Sequence, residues 1–331
     1  MKIGIVNNCL RGETRVAATP DTTGKIIKDG HQVLAEHGLG ILSYFTDEDY
    51  AKKGALLTDR AAVLTADIIL SVVPPKKSDV HSFKKGQWLV CNLTSFDDKA
   101  DMKDLVSSDI GVIDLGKMPR ISRAQSMDIL SSQSLIAGYK AATDALSLLK
   151  KNAPLLMTAA GNLFAAKALI IGAGVAGLQA ISVLKRAGTN IIATDIRASS
   201  KIEIESVGGK FIQDFTSELS NTDIIITAAQ VIGQKPPVLI TKKDMQKLPP
   251  HAVLIDLAGG NIEDNLERTD IILIKDKYFE RKLPFCASTF FSNNVYAFLQ
   301  TFDYLKRTDS NDEIMRAVLA CSDGFLTRLA P

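Results

Sequence analysis

Cysteine is scarce in this chain of 331 residues: Cys9, Cys91, Cys286 and Cys321 lie far apart, with no CxxC pair. That spacing argues against a disulfide framework, and with only four unclustered histidines it suggests no metal site. Buried or incidental thiols in a reducing compartment are the reading that remains. His31 opens a strand after Gly30, His37 and His81 fall at predicted turns, and His251 follows Pro249-Pro250. None stands beside another histidine or a predicted nucleophile, so all four read as structural or surface residues. A long apolar run is also missing, because nothing approaches the roughly 20 residues of a membrane span. The start, Met1-Lys-Ile-Gly-Ile-Val6, reads as a strand and has no signal-peptide core. Nor does one charge dominate: the net charge of +2 gives no electrostatic reason to expect nucleic acid. What is present is 46% apolar and 23% charged, the composition of a soluble globular chain long enough for two domains and expected in the cytoplasm.

The first third alternates β-rich runs with helical patterns: Ile3 to Val6, a helix from Asp21 to Asp29, then Gln32 to Glu36, Asp67 to Val73, Trp88 to Asn92 and Gly111 to Asp114. This alternation predicts an α/β fold with a parallel sheet. From Ser122 to Lys151 the apolar residues Met127, Leu130, Leu135, Ala141, Leu146 and Leu149 follow helical spacing. One or two long helices are expected there, two if the chain breaks near Gly138. The alternation restarts with Ala168 to Ile171, Asn190 to Thr194, Lys210 to Ile212, Asp223 to Ala228, Val253 to Asp256 and Ile271 to Ile274. Ala287 to Lys306 is helical in period, and a last helix is expected near Asp312 to Cys321. The fold class is therefore α/β, with two Rossmann-like parallel-sheet domains joined by long helices. An N-terminal domain over 1–130 is completed by 300–331, and a Rossmann domain with its linker helices spans 131–299.

The most informative stretch is Lys167-Ala-Leu-Ile-Ile-Gly-Ala-Gly-Val-Ala-Gly-Leu-Gln-Ala180, which joins an apolar strand to a helix through Gly172, Gly174 and Gly177. In such a turn the first glycine takes φ values other residues resist. The second lets the backbone approach a pyrophosphate, and the third lets the helix pack on the strand. The helix N-terminus then offers unpaired N–H groups to negative charge. The next strand, Thr189 to Asp195, ends in an acid eighteen residues after Gly177, where a ribose-binding carboxylate belongs and a 2′-phosphate would be repelled. NAD(H) is the expected cofactor. Its candidate contacts are Gly172, Ala173, Gly174, Val175, Ala176 and Gly177, then Asp195, Ile196 and Arg197, and Ala228 with Ala229. Arg197 is a competing feature, since its guanidinium could neutralise a 2′-phosphate.

Several runs carry a family resemblance. Gly12-Glu-Thr-Arg-Val-Ala-Ala-Thr-Pro20, the run from Met118-Pro-Arg-Ile-Ser-Arg-Ala-Gln-Ser-Met-Asp128 to Gln133, Ala137-Gly-Tyr139, Met157-Thr-Ala-Ala-Gly161, Lys235-Pro-Pro-Val-Leu-Ile-Thr241 and Ile255-Asp-Leu-Ala258 resemble the alanine dehydrogenase and pyridine nucleotide transhydrogenase family. The match covers almost the whole chain in order. The Met118 to Gln133 run is similar to the signature of the NAD(H)-binding component of proton-translocating transhydrogenase. That resemblance implies that Arg120, Gln125, Asp128 and Ser131 surround the nicotinamide and its ribose, so that the ring is held for hydride transfer without a protein nucleophile. A structural reading stands beside it, in which Arg120 and Asp128 form a salt bridge capping the linker helix. The resemblance further implies NADP(H)-binding and membrane-spanning partner subunits on other chains, a homodimer, and a place at the periphery of the inner membrane.

Other family members oxidise amino acids, and there a carboxylate-binding arginine matches Arg15. Arg15 could equally pair with a surface acid. The family's lysine falls near Val73 and its histidine near Asn92, neither of which transfers a proton near neutral pH. Its aspartate after Ile255 to Ala258 is replaced by Gly259-Gly-Asn261. Alanine oxidation is therefore not expected. Departures from the transhydrogenase pattern are a short Gln213 to Thr222 connection where the family carries a long lid, Phe164-Ala-Ala166 in place of Pro-Pro, and Asp276 to Glu280 in place of an Asn-containing loop. The alternatives left open are an amino or imino acid dehydrogenase with an altered pocket and a non-catalytic NAD-binding protein.

Overall fold

The computed structural model describes residues 1–9, 12–93, 105, 109–230, 235–264, 267–306, 311–322 and 325–326. The polar stretch after Lys306 lies outside them as far as 310. The chain divides into two compact units, residues 1–133 with 283–331 and residues 134–282. The return to the first unit thus begins at Leu283, earlier than the expected 300. The reason is apolar packing: Phe291, Val295, Phe298 and Leu299 are buried in one cluster with Ile3, Ile5, Ile68 and Ile113. Each such side chain contributes about 1.5–3 kcal/mol on burial.

In the first unit an eight-stranded sheet runs in the order β16-β15-β6-β5-β4-β1-β2-β3. Strands β1 (Lys2–Ile5), β2 (Gln32–Glu36), β3 (Leu56–Thr58), β4 (Ile68–Leu70), β5 (Trp88–Cys91) and β6 (Gly111–Asp114) pair in parallel. The last two, β15 (Leu319–Ser322) and β16 (Phe325–Leu326), are antiparallel. The expected last helix is therefore only Glu313–Val318, and Leu319 onward extends along β6. Helix α1 (Pro20–Lys28) starts where Thr19 and Thr22 form a capping box and Pro20 opens the first turn. Short helices α2 (Asp47–Lys52), α3 (Arg60–Val63) and α4 (Lys77–Val80) lie in the next three connections, from β2 to β5.

Helix α5 (Ile129–Leu148) is continuous through Gly138. Of the two readings, the single helix holds, and this glycine serves close approach instead: a Cβ there would stand 2.1 Å from the Ala176 carbonyl oxygen. After it a two-stranded antiparallel ribbon, β7 (Leu156–Thr158) with β8 (Gly161–Leu163), is exposed along its length. The second unit's sheet has the order β11-β10-β9-β12-β13-β14, all parallel. These strands are β9 (Lys167–Ile171), β10 (Asn190–Thr194), β11 (Lys210–Phe211), β12 (Ile224–Thr227), β13 (Val253–Asp256) and β14 (Ile272–Lys275), with helices α6 (Val175–Arg186), α7 (Ser200–Ser206) and α8 (Lys242–Met245). The order reverses between β9 and β12, the point where open α/β sheets bind ligands beyond their carboxyl ends. Helix α9 (Pro284–Thr301) then opens the return, and α10 (Glu313–Val318) precedes β15. Among the described residues, no helix is long and apolar enough to cross a membrane.

Candidate functional site

The glycine turn sits at this switch point, between β9 and α6. Gly172 has φ of +100°, and a Cβ on it would lie 2.8 Å from the Ala228 carbonyl carbon, so both backbone angle and space require glycine. At Gly177 a Cβ would meet the Gly172 carbonyl oxygen at 1.9 Å, which is how α6 comes down onto the turn. Gly174 differs: a Cβ on it would meet nothing within 4 Å. It is the N-cap of α6, and no side chain caps that helix. Uncapped first-turn N–H groups, the positive end of a 12-residue helix and open space in front of Gly174 together suit a diphosphate.

Asp195 stands just beyond β10, and its Oδ2 accepts a 2.7 Å hydrogen bond from the Ala173 amide, tying the ribose-position acid to the glycine turn. Its Oδ1 accepts from the Arg197 amide at 2.9 Å and from Arg197 Nε at 3.1 Å. Arg197 Nη2 also donates to the Ala173 carbonyl at 3.1 Å. Burial pushes the Asp195 carboxyl up, but the hydrogen bonds from Arg197 and Ala173 outweigh it and hold it below the usual carboxylate range. Ile196, between them, is 99% exposed. A cleft of about 290 Å³ opens beside Asp195, lined by Ile196, Ala198, Lys201, Phe211 and Gln213.

Ala228 and Ala229 follow β12 on the other side of the turn, and the Ala228 amide donates to Ile171 O at 2.8 Å. The sequence carries no mark of what holds them. Asn261 Oδ1 accepts from the Ala229 amide at 3.1 Å, while Nδ2 donates to Ala229 O at 2.9 Å and Pro237 O at 2.8 Å. Asp256 is fully buried and accepts hydrogen bonds from Thr227 Oγ1 and the amides of Ala258, Gly259 and Ile262. The Gly259-Gly-Asn261 segment, read from sequence only as the loss of an aspartate, is thus the brace of this loop. Phe279 anchors the Asp276 to Glu280 segment by burial in the same unit's core.

Arg120, Gln125, Asp128 and Ser131 belong to the first unit, on the segment leading into α5 and on the first turn of that helix. Asp128 Oδ1 accepts from the Ser131 amide at 3.0 Å and Oδ2 from Ser131 Oγ at 2.5 Å, an N-terminal cap. Helix capping is therefore present, but the Arg120–Asp128 salt bridge is not. The side chains of Arg120 and Gln125 are exposed and make no hydrogen bond or ion pair with other described residues. Buried Ala124 and Met127 pin the segment from beneath. Asn294 of α9 fastens it further, donating from Nδ2 to Ser126 O at 2.8 Å and accepting from Ser132 Oγ at 2.6 Å. No sequence signal singled out Asn294, since one asparagine in a helical period carries no mark of its partner.

Arg15 is committed elsewhere. Its guanidinium is 4% exposed and bonds both carboxylate oxygens of Glu13, at 2.8 and 2.9 Å, with Nη1 on Gln133 Oε1 at 2.9 Å. The acid it pairs with is buried rather than a surface group. A bidentate pair of this kind leaves little of the fork for a substrate carboxylate.

A six-stranded parallel sheet of this order, a glycine turn with an uncapped helix and an acid tied to that turn define a dinucleotide-type Rossmann unit, in a chain whose other unit has a mostly parallel sheet. The chain belongs to the alanine dehydrogenase/PNT family of oxidoreductases: residues 4–137 match its N-terminal domain and residues 141–328 its C-terminal domain. It is 38% identical over 300 aligned residues, 79% of this chain and 78% of the relative, to the first part of NAD(P) transhydrogenase subunit alpha of Rhodospirillum rubrum. With the protein of the same description from Rickettsia prowazekii it shares 31% identity, covering 98% of this chain and 95% of that one. That alignment runs to 365 positions against a chain of 331 residues, so the relative carries segments without counterpart here. The solved transhydrogenase from Sinorhizobium meliloti superposes with a TM-score of 0.92 at 31% identity, covering 99% of each chain.

Proposed function

We propose that this chain is the NAD(H)-binding subunit of an NAD(P) transhydrogenase, presenting NADH for direct hydride transfer to NADP held by a separate polypeptide. The observation that carries this reading is the glycine turn hydrogen-bonded to Asp195 at the switch point of the second sheet. The bound dihydronicotinamide supplies the hydride. The chain's own residues bind and orient: the α6 N-terminus and Gly174 face the pyrophosphate, and Asp195 takes the ribose diol. The family resemblance supports a nicotinamide-orienting role for Arg120, Gln125, Asp128 and Ser131, and the side chains of Arg120 and Gln125 have no partner among the described residues. No proton moves on a protein group, which agrees with the absence of ionisable residues at Val73 and Asn92. The committed Arg15 argues against an amino acid dehydrogenase. A membrane-spanning subunit on another chain would couple the reaction to protons and hold this cytoplasmic subunit at the inner membrane.

The isolated chain is expected to bind NADH at least tenfold more tightly than NADPH by fluorescence titration, because Asp195 repels a 2′-phosphate. Asp195→Ser should narrow that ratio. Equal affinities in the unaltered chain would remove Asp195 as the selectivity residue, and no transfer to NADP on reconstitution with a partner subunit would refute the function.

A homodimer belongs to this proposal. The β7–β8 ribbon supports it, because a two-stranded ribbon has marginal stability alone, and Met157 (70% exposed) and Phe164 (75% exposed) gain from an apolar partner surface. Met157→Asp with Phe164→Asp should shift the chain from dimer to monomer in light scattering. A monomeric unaltered protein, or an unshifted dimer in the variant, would count against this arrangement.

A further inference from the structure

Asp195 is nearly covered. Its side chain is 9% exposed, and what lies over it is Arg197, itself about half exposed. A carboxylate offers about four acceptor positions. The amides of Ala173 and Arg197 take two of them, at 2.7 and 2.9 Å. The Arg197 guanidinium takes the rest, with Nε on Oδ1 at 3.1 Å and Nη2 towards Oδ2 at 3.4 Å. A ribose diol brings two O–H donors and needs two acceptors. Its arrival is therefore an exchange of two donors for two, and it cannot occur while the guanidinium stays. The backbone amides remain in place and keep the carboxylate aimed. The departing guanidinium has a second acid within reach, since Glu203 Oε2 on α7 is 3.6 Å from Arg197 Nη2.

Resting on the nucleotide reading above, we propose that Arg197 is a displaceable latch on the ribose-binding acid, closing the site between turnovers and setting the affinity for the adenosine half of the cofactor. Ground-state closure lowers apparent affinity by the fraction of molecules that are open. Its Nη2 also donates to Ala173 O at 3.1 Å, a second contact that the latch must release when it opens.

Arg197→Met keeps the length of the side chain and removes the donors. Its affinities for NADH and ADP-ribose, measured by calorimetric titration, should each rise about five- to tenfold, with faster association in stopped flow. Reduced nicotinamide mononucleotide, which lacks the adenosine ribose, should bind the variant and the unaltered chain alike. Because Arg197 is an exposed side chain, the variant should keep its melting temperature, and Arg197→Gln serves as a second variant with shorter reach. Equal or weaker binding of NADH by both folded variants would overturn the latch. Failure of the unaltered chain to bind NADH at all would instead overturn the nucleotide reading itself, so the two failures are distinguishable.

Discussion

Gly174→Ala is expected to lower NADH affinity tenfold or more while leaving the melting temperature unchanged, whereas Gly177→Ala should lower the melting temperature and lose affinity only as a consequence. The two glycines lie three residues apart, but their surroundings differ. A methyl on Gly174 meets no atom within 4 Å, and its φ of −76° and ψ of −172° are open to any residue. The added carbon would stand only in the way of a ligand, and tenfold corresponds to about 1.4 kcal/mol. A methyl on Gly177 meets the Gly172 carbonyl oxygen at 1.9 Å, so α6 must move off the turn. Overpacking of this kind costs about 1–3 kcal/mol and sometimes more. Binding should then fall because the cradle itself is displaced. Calorimetric melting and NADH titration on both variants check this. A Gly174→Ala chain that melts early and binds normally would mean that the turn is a packing device alone.

The second large effect is expected at the segment before α5. Gln125→Ala should slow single-turnover hydride transfer in a reconstituted complex by tenfold or more with little change in stability, since its side chain has no partner among the described residues. Asp128→Ala should slow transfer too, but with a loss of about 0.5–2 kcal/mol in stability, because the Ser131 amide and hydroxyl lose their acceptor. NADH affinity should change little in either variant if, as proposed, the glycine turn and Asp195 bind the other end of the cofactor. Unchanged transfer in both folded variants would reject the role proposed for this segment. A purely structural role for Asp128 predicts transfer and stability falling together there and no effect at Gln125.

Much of this protein was legible because the relevant physics is local. The Lys167 to Ala180 run specifies its strand, turn and helix through apolar periodicity and glycine placement, and Asp195 follows from the length of one helix and one strand. The parallel strands of both sheets announce themselves as short buried runs such as Ile224 to Thr227, fully buried in the fold. The segment around Arg120 to Ser131 was marked by resemblance rather than by pattern. Where the reading failed, the deciding contact was distant in sequence. Gly138 looks like a helix breaker until the Ala176 carbonyl is brought against it. The C-terminal residues after Val318 carry no alternation strong enough to announce strands; pairing with β6, some two hundred positions earlier, makes them so. By sequence most of helix α9, up to 299, is expected with the second unit, and burial of Phe291 and Phe298 beside Ile3 and Ile5 assigns it to the first. The sequence by itself determined the class of fold, the glycine cradle and the acid at the end of β10. Only tertiary structure decided that Arg15 is committed to Glu13, that Asn261 and Asn294 brace the loops, and that Arg197 covers Asp195, because a polar side chain's role depends on which partner the fold brings within hydrogen-bonding distance.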